Sequence, residues 1–159
     1  MSGSHIKFTL KDLDLTNDLQ QRLQRLENPE PLLKSIGEEY TGAGGIISTR
    51  FKEERGPDGE PWQALSAAWV KRRAKKLPGS DLTILRMHGH LVGSINYQVK
   101  SQGLSIGTGS EVEDYAAAHQ FGYDGGEGKP NIPARPYLGF SNSELDVISE
   151  EVIAYLDEE

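Results

Sequence analysis

The sequence predicts an α+β domain, a small antiparallel sheet packed with several helices and a long Gly/Pro-rich loop before a C-terminal helix. The sheet follows from Leu91 to Val99, where Ile95, Tyr97 and Val99 alternate with Ser94, Asn96 and Gln98, the period of a half-buried strand. Ser101-Gln102-Gly103 supplies a turn, and Leu104, Ile106 and Thr108 return as the hairpin partner. The helices follow from apolar residues recurring every three or four positions on both sides of this hairpin. Strands grouped in a hairpin, not alternating with helices, argue for α+β packing.

At the N-terminus, Met1–His5 has linker-like chemistry, read either as a tag remnant or as a disordered start, and residues 6–159 form one domain. Ile6, Phe8 and Leu10 alternate as a short strand. Thr16 or Asn17 caps a helix carrying Leu19, Leu23 and Leu26, which Asn28-Pro29 ends. A second helical stretch carries Leu32, Leu33, Ile36, Tyr40, Ile46, Ile47 and Phe51, with a kink or break at Gly42, Gly44 and Gly45, since each helical glycine costs ~1 kcal/mol against alanine. Pro57-Asp58-Gly59-Glu60-Pro61 is turn chemistry, and Trp62 anchors that turn to the core.

Ser66 starts a helix that runs through Trp69 and a basic stretch to Leu77-Pro78-Gly79. The segment Asp81–Leu85 leads into a helical piece or turn containing Leu85 and Leu91. Glu111–His119 is alanine-rich and reads as a helix stopped by Gly122, with Phe121 as a second structural anchor. Tyr123–Asn131 is a glycine-rich loop and Ile132–Tyr137 is held extended by its prolines, so 123–137 is expected to be a mobile arm. Leu145, Val147, Ile148, Val152, Ile153 and Tyr155 then form a C-terminal helix, with Ser141 or Ser143 as cap and Glu144 near its positive end.

The composition removes several function classes. The chain has no cysteine, which excludes disulfides, thiolate metal sites and a cysteine nucleophile. There is no signal-peptide pattern and no run of about 18 apolar residues, so no membrane role is expected. A net charge of −7 disfavours a whole-surface nucleic-acid binder. The charge is segregated, however: Lys71, Arg72, Arg73, Lys75 and Lys76 form a basic run, whereas Glu144–Glu159 holds seven acidic residues and no basic one. Opposed patches of this kind suit head-to-tail self-association, although two ordinary solvated surface runs give the same pattern.

Candidate chemistry is sparse. His88-Gly89-His90, completed by His119 or Asp114, invites a metal reading, but no further ligand stands at a diagnostic spacing, and two turn histidines explain it better. Ser66, Ser94, His119 and Asp114 make a nominal triad without a nucleophile elbow, and neither a phosphate loop nor a dinucleotide fingerprint is present. The expectation is a non-enzyme without metal or cofactor. Trp69 beside the basic run invites DNA contact, a secondary expectation. Arg135, fixed between two prolines, is suited to pairing with a carboxylate.

Five pieces in fixed order carry a resemblance. They are Phe51 with Pro57–Leu65, Ile84–Ile95, Ile106-Gly107-Thr108, Tyr115–Gly122, and Ile132–Gly139, followed by a C-terminal helix. Over Phe51–Phe140 the chain resembles the phage virion morphogenesis family, the tail-completion proteins of Mu-like phages and their relatives. One departure is His88, where the pattern has a small hydroxyl residue before the glycine. The resemblance implies a structural protein of phage or prophage, made in the host cytoplasm and then placed in the virion at a tail end or neck. It acts there in tail completion or head–tail joining, and is akin to the small α+β proteins that close tails as oligomeric rings. Partners implied are other copies of the chain and tail-tube or connector proteins. The expected assembly contacts are Lys71, Arg72, Arg73, Lys75, Lys76, Tyr123, Arg135 and Tyr137.

Overall fold

The computed structural model describes residues 15–79, 82–101, 103–128 and 131–158, and the expected strand at Ile6–Leu10 lies outside them. In chain order the elements are α1 (Leu15–Glu27), α2 (Glu30–Thr41), α3 (Ile46–Glu53), α4 (Ala67–Lys76), α5 (His90–Gly93), β1 (Ile95–Lys100), β2 (Gly103–Thr108), α6 (Glu113–Phe121) and α7 (Asn142–Asp157). The fold is α+β, with β1 and β2 paired antiparallel.

The glycine cluster does break the second helical stretch. Gly44 adopts φ +84°, and a side chain at Gly45 would collide with the Glu39 carbonyl, so α2 ends and α3 starts in a new direction. The strand starts at Ile95, later than its alternation suggested. Gly89 at φ +73° and the bond from Ser94 Oγ to Leu91 O (2.8 Å) wind the preceding residues into the single turn of α5. A 3₁₀ turn at Ser110–Val112 likewise delays α6 to Glu113.

The hairpin register pairs Tyr97 with Ile106 and Val99 with Leu104, which puts these apolar side chains on one face. A two-stranded hairpin is marginal alone. Here α2 packs across both strands. Contact is close because Gly37 of α2 has no side chain, and a Cβ there would overlap the Tyr97 ring. Gly37→Ala should therefore lower the melting temperature, although alanine favours the isolated helix by ~1 kcal/mol. Tyr97→Ala in the same chain should reverse the sign, and a Gly37→Ala protein that melts higher than the parent would refute this packing.

The core gathers Ile36 and Tyr40 of α2, Ile47 and Phe51 of α3, Trp62, Ile84, Leu91, Ile95, Val112, Ala116 and Tyr137. Phe51 is fully enclosed, with the Trp62 ring edge-on at 5.4 Å and Tyr137 at 5.4 Å. α7 closes the far side against α1 and α2. Its start is a capping box: Glu144 N–H donates to Ser141 Oγ (3.2 Å) and Ser141 N–H to Glu144 Oε2 (2.8 Å).

On the α2–α7 seam, Glu151 meets Glu39. Burial, then the hydrogen bond and charge of Glu39, push the Glu151 carboxyl above its ordinary range. A raised folded-state pKa means that the folded chain holds the proton more tightly. This contact therefore favours folding at acid pH and weakens as pH rises through the raised value. Glu151→Gln should raise the melting temperature near neutral pH and lose that advantage towards pH ~4. An identical melting difference at both pH values would remove the pair from the account.

Candidate functional site

After Gly122 ends α6 at φ +80°, the chain loops out and returns along Ile132–Gly139 as an extended strap. Tyr123 and Ile132 exchange two backbone hydrogen bonds of 2.8 Å and pin the base of the loop. A Cβ on Gly122 would lie 3.1 Å from Ala134 N, so the close crossing of helix end and strap depends on glycine. The strap is then fastened from three sides. Arg135 N–H donates to His119 O (2.7 Å), while Gln120 accepts from the N–H groups of Tyr137 and Leu138 and donates to Leu138 O, each at 3.0 Å. Trp62 Nε1 donates to Pro136 O (2.9 Å), and Arg50 Nη1 to Tyr137 O and Gly139 O (3.0 Å each).

This arrangement corrects two expectations. Arg135 and Tyr137 are buried within the fold, Tyr137 with its hydroxyl on Ala116 O (3.1 Å) and its pKa pushed up to about 12 by burial. Tyr137 is thus closed to a neighbouring molecule and Arg135 borders only the cleft between α4 and the strap, because the strap's backbone groups find their partners on α3, α6 and the Trp62 turn. Phe121 does not anchor the core: it is 79% exposed. α6 turns Ala116 inward and uses Gln120 as the strap clamp, which leaves Phe121 on the solvent side beside exposed Tyr123. Trp62 is buried, as its turn position suggested.

The basic run lies on α4, capped by Ser66, whose Oγ accepts from Trp69 N–H (3.2 Å). No residue of α4 is buried, and Lys71, Arg72, Lys75 and Lys76 are exposed, with Arg73 partly covered. Between α4 and the strap lies a cleft of about 620 Å³. Leu65, Trp69, Ile84, Leu85, Met87, Ile132 and Pro133 give it apolar walls, while Arg72, Arg135 and His119 add polar groups. Arg135 is 6% exposed, its Nε donates to Gln63 O (3.0 Å), and it has no ion-pair partner among the described residues. Burial holds its guanidinium below its usual pKa, and the more distant Glu54 charge opposes that shift. His119 Nδ1 is buried without a hydrogen-bond partner, and burial followed by the Arg135 charge lowers its pKa, which favours neutral imidazole.

The residues of the nominal chemical sites take ordinary places. Ser66 caps a helix and Ser94 bonds to backbone. His88, His90 and His119 border one hollow of about 330 Å³, but no group of three or more His, Cys, Asp or Glu that could hold a metal occurs among the described residues. No helix among the described residues is long and apolar enough to cross a membrane. α7 carries Asp146, Glu150 and Ile153 on an exposed stripe, with Ile153 59% exposed. Next to it, Leu19, Leu23 and Leu26 of α1 are all more than half exposed, while Arg22 and Arg25 turn inward to Asp157 and Leu156 O.

The chain belongs to the phage virion morphogenesis family, whose model matches residues 10–157. It is also 28% identical over 143 residues to the Mu-like prophage FluMu G protein 2 of Haemophilus influenzae (strain ATCC 51907 / DSM 11121 / KW20 / Rd), covering 89% of this chain and 88% of that protein. No solved structure matches. The family places the chain in phage virion morphogenesis.

Proposed function

We propose that this chain completes the tail or joins head to tail by assembling head to tail with its own copies, closing as a ring at a tail end or neck. The observation that supports this most is the separation of charge on two rigid elements, an exposed basic α4 and an acidic α7 with no lysine or arginine. In a heterologous contact the two faces meet between neighbours, and a closing rotation gives a ring. The family and the prophage relative support the setting. Phe121, Tyr123, Asp124 and Gly126–Gly128 stand at the surface and serve as the contact to tail-tube or connector proteins, while Gly125 is buried with its N–H on Asn131 Oδ1 (3.1 Å). DNA contact through α4 is a secondary use, since five cations on one helix give modest, salt-sensitive affinity.

Particles made in a host lacking this gene product, compared by electron microscopy with complemented ones, test the reading. Unjoined heads and tails or irregular tail ends are expected without it, and fully normal infectious particles would overturn it. Deleting the exposed Gly126–Gly128 in the complementing copy, with the buried Gly125 kept, should leave the melting temperature close to the parent's and reduce assembly into particles. Unchanged assembly would take the loop out of the contact.

A further inference from the structure

We infer that the cleft between α4 and the strap is a socket for the outer stripe of α7 from a second copy of this chain, with Ile153 in its apolar part and Glu150 facing Arg135 and Arg72. The inference rests on the head-to-tail reading and names the surfaces that reading needs. It starts from Arg135, a cation more than nine-tenths buried that lines the cleft and bonds Gln63 O through Nε, with no carboxylate within ion-pair distance among the described residues. A buried unpaired charge is costly, and its cost falls sharply when a carboxylate arrives. His119 borders the same cleft, but its unpartnered Nδ1 is sealed inside the fold and takes no part in the contact. The Arg135 guanidinium, set among Leu65, Trp69, Ile132 and Pro133, selects a ligand with a carboxylate next to an aliphatic side chain.

The α7 stripe carries that combination. Glu150 and Ile153 are three residues apart on one helical face, so their side chains project as neighbours. Asp146, exposed one turn before Glu150, extends the negative stripe, matching Lys71, Arg72, Lys75 and Lys76 along the rim. α7 of the same chain is engaged with α1 and α2, so the occupant is a neighbour's helix and the contact is heterologous.

The chain has no cysteine, which makes disulfide trapping specific. Purified Arg72→Cys and Glu150→Cys proteins, both altered at exposed positions, are mixed and mildly oxidised. A one-to-one disulfide dimer is expected from the mixture and from neither variant alone. Trapping no stronger than with Lys100→Cys on the exposed side of β1 would overturn the socket, as would preferential trapping of Arg72→Cys by purified tail tubes. Glu150→Arg should weaken self-association about tenfold or more, with Arg72→Glu in the partner restoring much of it. If the parent forms rings by electron microscopy while these variants assemble normally, the socket fails and the ring stands. If the parent remains monomeric by light scattering even with tail tubes added, both fail.

Discussion

Arg50→Ala is expected to lower stability by about 3–5 kcal/mol, the scale for removing one partner of a buried ion pair. Arg50 lies inside the fold, and its Nη2 contacts both oxygens of Glu144 at 2.6 Å while Nη1 serves Tyr137 O and Gly139 O. One guanidinium thus joins α3, the end of the strap and the first turn of α7. Its loss leaves a half-buried carboxylate and two strap carbonyls without their donor. The apolar double replacement Arg50→Met with Glu144→Leu separates the parts. Apolar substitution of buried ion pairs is often neutral. Here it should remain destabilising, because the carbonyls still lose their donor and Ser141 loses its capping partner. Arg50→Lys keeps the charge without the planar fork and should fall between. Thermal unfolding by calorimetry gives the ranking. An Arg50→Ala protein within about 1 kcal/mol of the parent would show that α7 is held by its apolar face alone.

Glu144 shows how far the sequence could be read. Its place at the positive end of the helix was legible, with Ser141 or Ser143 as cap, and the structure makes Ser141 the cap and joins Glu144 to it in a capping box. Its second role was invisible, because Arg50 is remote in sequence and no local pattern links them. The break between α2 and α3 was legible because glycine acts locally through its backbone. Phe121 was misplaced for a related reason. In a helix as short as α6 the alanines give little amphipathic contrast, so local pattern leaves open which side faces inward. Gln120, a polar residue, holds the inward place by bonding the strap.

The strap itself was half legible. Prolines at 133 and 136 announce extended backbone, yet an extended segment reads the same whether it waves in solvent or is bonded on three sides. The buried fate of Arg135 and Tyr137 depends on donors and acceptors supplied by Trp62, Gln120, Arg50 and Gln63, all distant in sequence. These partners also explain why the ordered pieces that carry the family resemblance stand far apart. Pro57–Leu65, Tyr115–Gly122 and Ile132–Gly139 converge on one hydrogen-bonded girdle, and Gly139 at φ +133° sits where a side chain would press on Pro57. The charge segregation, by contrast, could be seen from the start, because exposed helices keep their composition on display.

Trp62→Ala should cost ~3–5 kcal/mol in chemical denaturation, and its mechanism is specific to the girdle. Trp62 contacts Phe51 edge-on at 5.4 Å and holds Pro136 O through its indole N–H. Truncation removes the ring and leaves the carbonyl with no donor from below. Trp62→Phe keeps most of the ring volume and loses the N–H, so it should recover much of the packing while still losing about 1–3 kcal/mol for the carbonyl. The two variants predict different local behaviour. In Trp62→Ala the amides of Arg135 and Tyr137, bonded to His119 O and Gln120 Oε1, should exchange with solvent far faster relative to α2 amides, because the strap opens before the helices do. Uniform acceleration across the chain would mean that Trp62 stabilises the whole core and the strap has no separate opening. Unchanged exchange at Arg135 and Tyr137 would mean that Gln120 and Arg50 hold the strap without it. If the strap does open first, Trp62→Ala should also impair self-association more than its global stability loss explains, since Arg135 and Ile132 would leave the cleft proposed to receive the neighbouring helix.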